Sequence, residues 1–401
     1  MNTTSLELTC RDSVVARDGR PFGVGAGNRM RSLEWPTPSM VAGSLRTALA
    51  RDARKTFEAD TARELLKVAV AGFLPSVDGT LYFPTPLDCV PAEREDLPPL
   101  RAVPVPQSHF GGVTSWPSGL SLEPVMIPLE AAPDEFKPGP APAWWPADAY
   151  AAWLMGDRLA PFDRRFLCAP EIEERTHVAL DRNSGAAGDG DLFSTEALAL
   201  AGLKRFRSSD GGDAEATVTP RYRVRVRAEG WCHDHASQLA GFHTTGGERR
   251  LVHYRAVTDE AGWQCPTSIA TALSGARAIR MDLVTPAIFG RGWLPNWLDD
   301  SGIGAPPALD LQLKLIGAAV GRWRAISGWS LNAATDPNGR LGPKPIRRMV
   351  PAGSVYFFEV LAGDPAALAS RWLESVSDDD QERRDGFGLA AWGTWNRLQS
   401  V

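Results

Sequence analysis

Four consecutive residues, Cys232-His233-Asp234-His235, combine side-chain types that bind transition metals. His233 and His235 would share one face of a strand, but no third and fourth ligand follow at the spacing of a zinc site. We therefore interpret this tetrapeptide as a polar turn. Five cysteines are odd in number, far apart and without a C-x-x-C pair: Cys10, Cys89, Cys168, Cys232 and Cys265. This pattern disfavours a disulfide framework and predicts a reducing compartment, with no metal and no cofactor.

The other histidines are candidates for acid–base chemistry. His109, His177, His243 and His253 have no partner serine or cysteine in a recognisable catalytic motif such as G-x-S-x-G. A nuclease-type general acid or base at His177 is retained as an alternative. The sequence otherwise predicts a protein that is not an enzyme.

Phosphate binding is the other chemistry that the residue types allow. Residues 11–55 hold nine Lys or Arg and four Asp or Glu, an excess of five positive charges. Asn28, Arg29 and Arg31 precede a predicted helix N-terminus, where backbone N–H groups attract anions. Gly23-x-Gly25-x-Gly27 lacks the G-x-G-x-x-G spacing and no G-K-[ST] occurs, so no Rossmann or P-loop site is predicted. The loop is either a phosphate contact or a solvated, glycine-rich segment.

The elements around this loop follow from capping and periodicity. Thr37 and Pro38 are typical of a helix start, and the helix places Ser39, Gly43 and Arg46 on one face. Residues 5–10 alternate as a strand, and a second helix is predicted over 62–71, ending at Gly72. Strand, loop and helix at this spacing favour the opening of a β-α-β unit.

The C-terminal third repeats this pattern. Val355–Leu361 is an apolar run typical of a buried strand, and Pro365–Val376 is predicted to be a helix. A charged turn over 378–385 then leads to Gly386-Phe387-Gly388 and a last strand ending near Trp395. The sequence therefore predicts an α+β protein built on two related cores.

Two further features lie between these units. Arg175–Asp181 reads as a strand followed by a glycine-rich turn over 182–191, which predicts a hairpin. Four arginines alternate with apolar residues on the next strand: Arg221, Arg223, Arg225 and Arg227. They mark either a solvated edge strand or a track for phosphates. Three tryptophans beside Gly or Pro are candidates for stacking on bases: Trp35, Trp293 and Trp392.

Composition sets the class of protein. The chain has 401 residues, 43% of them apolar, and a net charge of −5, which predicts a globular protein of two or three domains. Fifteen of its 32 prolines lie between Pro84 and Pro146, so this stretch is predicted to be an extended insertion or connector. Of the 43 basic residues, 37 are arginine, the better residue for bidentate phosphate contacts. No signal peptide or membrane span is found, so we expect a cytoplasmic protein.

Several of these segments resemble the family of the third subunit of the Cmr complex, the type III-B CRISPR RNA-targeting effector. This family is placed in the Cas-five-like group of the RAMP superfamily. The resemblance runs nearly end to end and is carried by residues 17–29, 33–46, 176–182 with 192–193, 246–250, 285–295, 327–329, 350–354 and 386–393. The proline-rich stretch carries few motif residues.

The resemblance implies two ferredoxin-like (RRM-like) RAMP folds with an inserted hairpin and a proline-rich segment. On this basis residues 1–83 are the first part of the N-terminal unit, and residues 84–146 are a proline-rich insertion or connector. Residues 147–240 are the remainder of that unit, with a thumb hairpin near 176–196. The C-terminal unit then occupies 241–401 and ends in the glycine-rich loop.

The resemblance also implies a non-catalytic subunit for antiviral defence that holds the 5′ repeat-derived handle of a crRNA. Its expected partners are the large polymerase/HD-domain subunit and a backbone RAMP subunit, with target RNA contacted indirectly and no membrane. Target cleavage and cyclic oligoadenylate synthesis would belong to partner subunits. The implied RNA-binding residues are Arg20, Gly25, Gly27, Asn28, Arg29, Arg31, Ser39, Gly43, Arg46, His177, Arg182, Leu192, Phe193, Arg249, Arg250, Gly386 and Gly388. The alternative is a RAMP endoribonuclease that processes crRNA with His177.

Overall fold

The computed structural model describes residues 2–20, 22, 28–109, 120–128, 131, 136–206, 216–260, 262–330 and 341–397. Up to residue 257 the strands are β1 (Asn2–Cys10), β2 (Asn28–Met30), β3 (Ala69–Val77), β4 (Thr80–Pro84), β5 (Cys89–Val90), β6 (Leu100–Arg101), β7 (Val103–Pro104), β8 (Val125–Met126), β9 (Trp144–Pro146), β10 (Ile172–Leu180), β11 (Ala187–Leu198), β12 (Leu203–Lys204), β13 (Thr217–Val218), β14 (Arg221–Ala228), β15 (Ala240–Thr245) and β16 (Arg250–Val257).

The remaining strands are β17 (Ala278–Leu283), β18 (Ile303–Gly304), β19 (Leu311–Ala319), β20 (Arg324–Ile326), β21 (Trp329–Ser330), β22 (Gly342–Pro343), β23 (Arg347–Met349), β24 (Val355–Gly363), β25 (Glu374–Ser375) and β26 (Leu389–Thr394). The helices are α1 (Pro38–Asp52), α2 (Ala59–Lys67), α3 (Ala147–Leu154), α4 (Gly230–Ala236), α5 (Thr267–Leu273) and α6 (Asp380–Asp385), with 3₁₀ turns at Gln107–His109 and Pro365–Arg371. The expected α+β class is confirmed, with strands predominating. Within the described residues, no helix combines the length and apolar composition needed to cross a membrane.

Two large antiparallel sheets organise the chain. The first sheet has the order β15-β16-β1-β14-β3-β4-β9, and the second has the order β18-β19-β24-β17-β26-β25. Helix α1 begins as predicted, with the Thr37 side chain capping the backbone N–H of Met40. Its apolar side packs with β1 and β14 around Leu45 and Leu49, so the first core lies between helix and sheet.

Residues 240–257 belong to the first sheet. Strand β16 pairs with β1 from Ser5–Val257 to Cys10–Val252, and β15 pairs with β16. The boundary predicted at residue 241 is therefore wrong, because the first sheet needs these two strands to cover the outer edge of β1. The second sheet begins with β17.

Three local predictions are also corrected. The predicted second helix ends at Lys67, and the apolar run that follows forms strand β3, with a register shift in its pairing at Gly72, whose φ is +109°. An apolar run suits a buried strand as well as a helix, and here the sheet determines the outcome. Residues 365–371 form a 3₁₀ turn that is followed by strand β25, and the charged turn over 378–385 contains helix α6. The predicted strand at Val355–Leu361 is confirmed within β24.

The proline-rich stretch packs against the second sheet. It forms the short ribbons β5–β6 and β7–β8, and the Glu123 N–H donates to the carbonyl of Ile316 in β19 at 2.8 Å. Its Asp88 is fully buried and accepts two hydrogen bonds from the Arg280 guanidinium, at 2.7 and 2.9 Å. Arg280 also binds Asp282, and the Trp153 indole N–H donates to Asp88 at 3.0 Å. A buried ion network therefore attaches this stretch to strand β17.

We predict that Asp88→Ala lowers the free energy of unfolding by about 3–5 kcal/mol, because it leaves part of the charge of Arg280 uncompensated inside the protein. Urea denaturation measures this loss. The matched control is Asp96→Ala, since Asp96 pairs with Arg94 on the surface and should cost less than about 1 kcal/mol. Equal losses for the two variants would contradict a structural role of the network.

Candidate nucleic-acid interface

The predicted hairpin is present and forms its own small sheet. Strands β10 and β11 pair antiparallel with His177 opposite Phe193, and β2 pairs in parallel with β11 over residues 193–195. Residues 181–187, at the turn, are exposed. We call residues 172–198 the hairpin. Its pairing brings the loop that carries Asn28 and Arg29 against the second hairpin strand.

One face of the hairpin holds the candidate histidine. The His177 ring stacks on Phe193 with ring centroids 5.1 Å apart, and its Nε2 lies 2.8 Å from the Thr195 hydroxyl. Phe22 meets the same Phe193 ring edge-on at 5.8 Å. These contacts give His177 an aromatic and a hydroxyl neighbour, which fix the orientation of its ring.

The other face carries exposed apolar side chains at the turn end. Val178 lies opposite Leu192, and Leu180 is further along the same strand face. Leu192 is 57% exposed and Leu180 is 59% exposed. A cluster of exposed aliphatic side chains at the end of a hairpin is typical of a surface that meets a partner. Arg182 is exposed in the adjoining turn.

The arginines of the first loop differ in whether they pair with an acidic side chain. Arg29 donates to Glu196 at 2.7 Å and pairs with Glu174 at 2.8 Å, so its charge is neutralised by the hairpin. This contact corrects the prediction that Arg29 is a free phosphate ligand. Arg31 is exposed and has no ion pair within the described residues, while Arg20 is exposed and pairs with Asp18 at 3.2 Å. Asn28 is also exposed. Gly25 and Gly27 lie outside the described residues.

Arg46 does not reach an open groove. It is buried, and its guanidinium donates to Asp385 at 2.6 Å and to the Val68 carbonyl at 2.7 Å. Its place among the RNA-binding residues is therefore corrected to a structural link between α1 and α6. On the same helix Ser39 is half-buried and Gly43 is exposed, with open space around it, so only these two keep the predicted face accessible.

The glycine-rich turn after α6 is also internal. Gly386 ends α6 with a φ of +92°, and a Cβ there would overlap the Val70 carbonyl oxygen. Gly388 has a φ of +68° and lies against Ser377, and Phe387 between them is fully buried in the first core. The prediction that Gly386 and Gly388 admit a phosphate is therefore wrong. Their backbone conformation, which favours glycine, lets residues 374–388, which we call the joint segment, pack on β3.

The arginine-rich strand is neither an edge nor an open track. Strand β14 is central in the first sheet, and Arg223 is buried against Asp259 at 3.0 Å. Arg225 and Arg227 both bind Glu374 of the joint segment, at 3.0 and 2.5 Å. Burial lowers the pKa of Arg225, and Arg227 beside it adds to that effect. The predicted basic face thus contacts the rest of the protein, and only Arg221 remains exposed.

The remaining candidates are placed as follows. Arg249 is exposed in the turn between β15 and β16, and Arg250 pairs with Glu248 in the same turn. The predicted polar turn at 232–235 is instead part of helix α4, where His235 contacts Asp52 at 2.6 Å. Within the described part of the chain, no group of three metal-ligating side chains occurs.

The three tryptophan candidates are not free platforms. Trp392 is fully buried, Trp293 stacks on Tyr356, and Trp35 packs against Trp144 with ring centroids 4.2 Å apart. Trp35 lines an apolar cavity of about 370 Å³ that also borders Arg322 and Arg324. Among the described residues, the exposed tryptophans are Trp323 and Trp329, which sequence reasoning missed. A signal for Trp323 was present in the sequence, since it lies directly between Arg322 and Arg324.

The sequence comparison defines the class of protein. The family model described as CRISPR-associated protein (Cas_Cmr3) matches residues 6–395. The chain therefore belongs to the Cas_Cmr3 family of CRISPR-associated proteins, and the resemblance to the third Cmr subunit is confirmed. No curated protein matches the chain.

Three solved chains that match this one belong to type III complexes. A chain of the type III-B Cmr-beta complex bound to cognate target RNA and AMPPnP is 13% identical, with a TM-score of 0.42, and the match covers 88% of this chain and 86% of that one. A second, bound to cognate target RNA, is 15% identical with a TM-score of 0.42 and the same coverage. A chain of the type III-A Csm3–Csm4 subcomplex is 10% identical with a TM-score of 0.36, covering 88% and 92%.

Gly386 is packed against β3 and Gly43 faces open space, so substitutions at the two glycines test which surface is internal. Gly386→Ala should lower the free energy of unfolding by at least about 1–2 kcal/mol, because it forces a left-handed alanine into contact with β3. Gly43→Ala should instead raise it by about 0.5–1 kcal/mol, since Gly43 is an exposed helix-interior residue with free space. Thermal melts followed by circular dichroism compare the two. A neutral Gly386 variant would reopen the phosphate role.

Proposed function

We propose that this chain is a non-catalytic RNA-binding subunit that holds the 5′ repeat-derived handle of a crRNA in a type III-B CRISPR complex. Membership of the Cas_Cmr3 family supports the setting. The observation that carries the RNA role is the hairpin, whose exposed apolar end, with Leu180 and Leu192, lies on the same small sheet as the loop leading to Arg31. Aliphatic side chains can separate stacked bases while the neighbouring cations hold phosphates.

Two ferredoxin-like folds fit the topology. In the first sheet the order β16-β1-β14-β3 places the fourth and third strands of a β-α-β-β-α-β unit on either side of the first, with α1 between β1 and β3. In the second sheet β19-β24-β17-β26 has the corresponding order. The inserted hairpin and the proline-rich stretch both fall between the second and third strands of the first unit.

Within such a complex we propose a division of labour. The hairpin acts as the thumb, with the exposed Arg20, Arg31 and Arg182 near the RNA. Arg29 positions the thumb through Glu174 and Glu196. The large polymerase-like subunit and a backbone RAMP subunit are the protein partners. We place the assembled particle in the cytoplasm, where it acts in antiviral defence.

The phosphate role of Arg31 is tested by salt dependence. Arg31→Ala should make the log–log salt slope of crRNA binding shallower by about 0.7, with native and scrambled handles alike, because one phosphate contact to single-stranded RNA is lost. The assay uses the full chain reconstituted with its partner subunits. The matched control is Arg63→Ala on helix α2, which should leave the slope unchanged. An unchanged slope for Arg31→Ala would place this loop against protein or solvent.

The proposal that the chain is non-catalytic is tested with repeat RNA. The purified full chain should bind a repeat-containing RNA without shortening it, and His177→Ala should leave the RNA length distribution of the assembled complex unchanged. The contacts of His177 with Phe193 and Thr195 support this expectation, since they orient the ring in the hairpin. Cleavage by the wild-type chain that His177→Ala abolishes would establish the endoribonuclease alternative.

A further inference from the structure

A second basic and aromatic element lies in the C-terminal part of the chain. Residues 320–330 and 341–349, which we call the arm, contain two tryptophans and no Asp or Glu. Their five basic residues are Arg322, Arg324, Lys344, Arg347 and Arg348. Strand β20 pairs with β23, and β21 pairs with β22, so the arm is a two-stranded element.

One face of the arm is fixed to the protein. Ile326 and Met349 are buried in the first core, which anchors the β20–β23 pair. Arg347 pairs with Glu382 of helix α6, and Arg324 pairs with Glu34 in the segment before helix α1. The arm is therefore held from both sides, and its outward face has a defined position.

The outward face exposes the aromatic side chains. Trp323 is 49% exposed and Trp329 is 64% exposed, although tryptophan is normally largely buried. The Arg348 guanidinium lies over the Trp323 ring at 4.8 Å from its centroid, which joins a cation to a stacking surface. Arg322 and Lys344 are exposed beside them.

We propose that the arm is a second site for single-stranded RNA, bound without sequence preference. Trp323 and Trp329 would stack on bases, and Arg322, Lys344 and Arg348 would contact phosphates. An alternation of aromatic rings and cations is the pattern of sequence-tolerant single-strand binding. Charge favours RNA over a protein partner. Residues 320–330 and 341–349 hold five basic residues and no acid, and every nucleotide of an RNA carries a negative charge.

The position of the arm supports a continuous RNA surface. A Cβ added at Gly19 would meet the Cβ of Ala325 at 3.3 Å, so the arm touches the loop that carries Arg20. The apolar cavity of about 370 Å³ lies between Trp35 and the arm residues Arg322 and Arg324. The arm thus adjoins the loop proposed for the crRNA handle, but its own binding requires neither the handle sequence nor the hairpin.

The test measures binding of a fluorescein-labelled 20-nucleotide oligouridine RNA to the purified full chain by anisotropy. Trp323→Ala and Trp329→Ala should each weaken binding at least about fivefold, through loss of base stacking. Arg348→Gln should make the log–log salt slope shallower by about 0.7. The matched controls are Phe57→Ala, at an aromatic residue of similar exposure, and Arg63→Gln; both should bind as the wild type does.

A second measurement locates the RNA and its source. Photocrosslinking with 4-thiouridine RNA should label tryptic peptides from 320–349. If crRNA preloading blocks the oligouridine, the arm binds crRNA itself, and if it does not, the arm binds another strand; either result supports the site. Wild-type affinity in all arm variants, or variants that lose only a partner subunit in pull-downs, would overturn it. Failure of the handle proposal is a separate result, because it would be seen as an unchanged salt slope of Arg31→Ala with handle RNA.

Discussion

Arg46 is the residue on which the relation between the two sheets depends. Its buried guanidinium joins helix α1 to Asp385 of the joint segment and to the backbone at the start of β3. Around it Gly386 packs on Val70, and Glu374 holds two arginines of β14. An unpartnered charge at such a position is strongly destabilising, so neither sheet can move away without breaking several contacts together.

This rigid connection holds the exposed elements in fixed positions. The hairpin is attached to the first sheet and the arm is attached through β20 and β23 to the core beneath helix α1. The same residue types serve opposite purposes at the two kinds of place: arginines facing Glu374 fasten the protein together, whereas Arg31, Arg322 and Arg348 remain exposed. Net charge alone, at −5, would not reveal this separation.

Local pattern predicted the hairpin, helix α1 and strand β24 correctly, because alternation and capping are properties of neighbouring residues. It failed where contacts between residues distant in the sequence determine the local structure. The run after Val68 becomes a strand because β14 lies beside it, and Arg46 is buried because Asp385, 339 residues away, meets it. Spacing along a helix shows which residues share a face but not what covers that face.

Strand β1 has a consequence for how the protein is made. It lies inside the first sheet, between β14 and β16, so during synthesis it waits for partners as far along the chain as Val257. At bacterial or eukaryotic rates of about 5–20 residues per second, this delay is roughly 13–50 s. During that time the unpaired edges of β1 are open to wrong pairing, a hazard that comes from this strand order and not from the stability of the finished sheet.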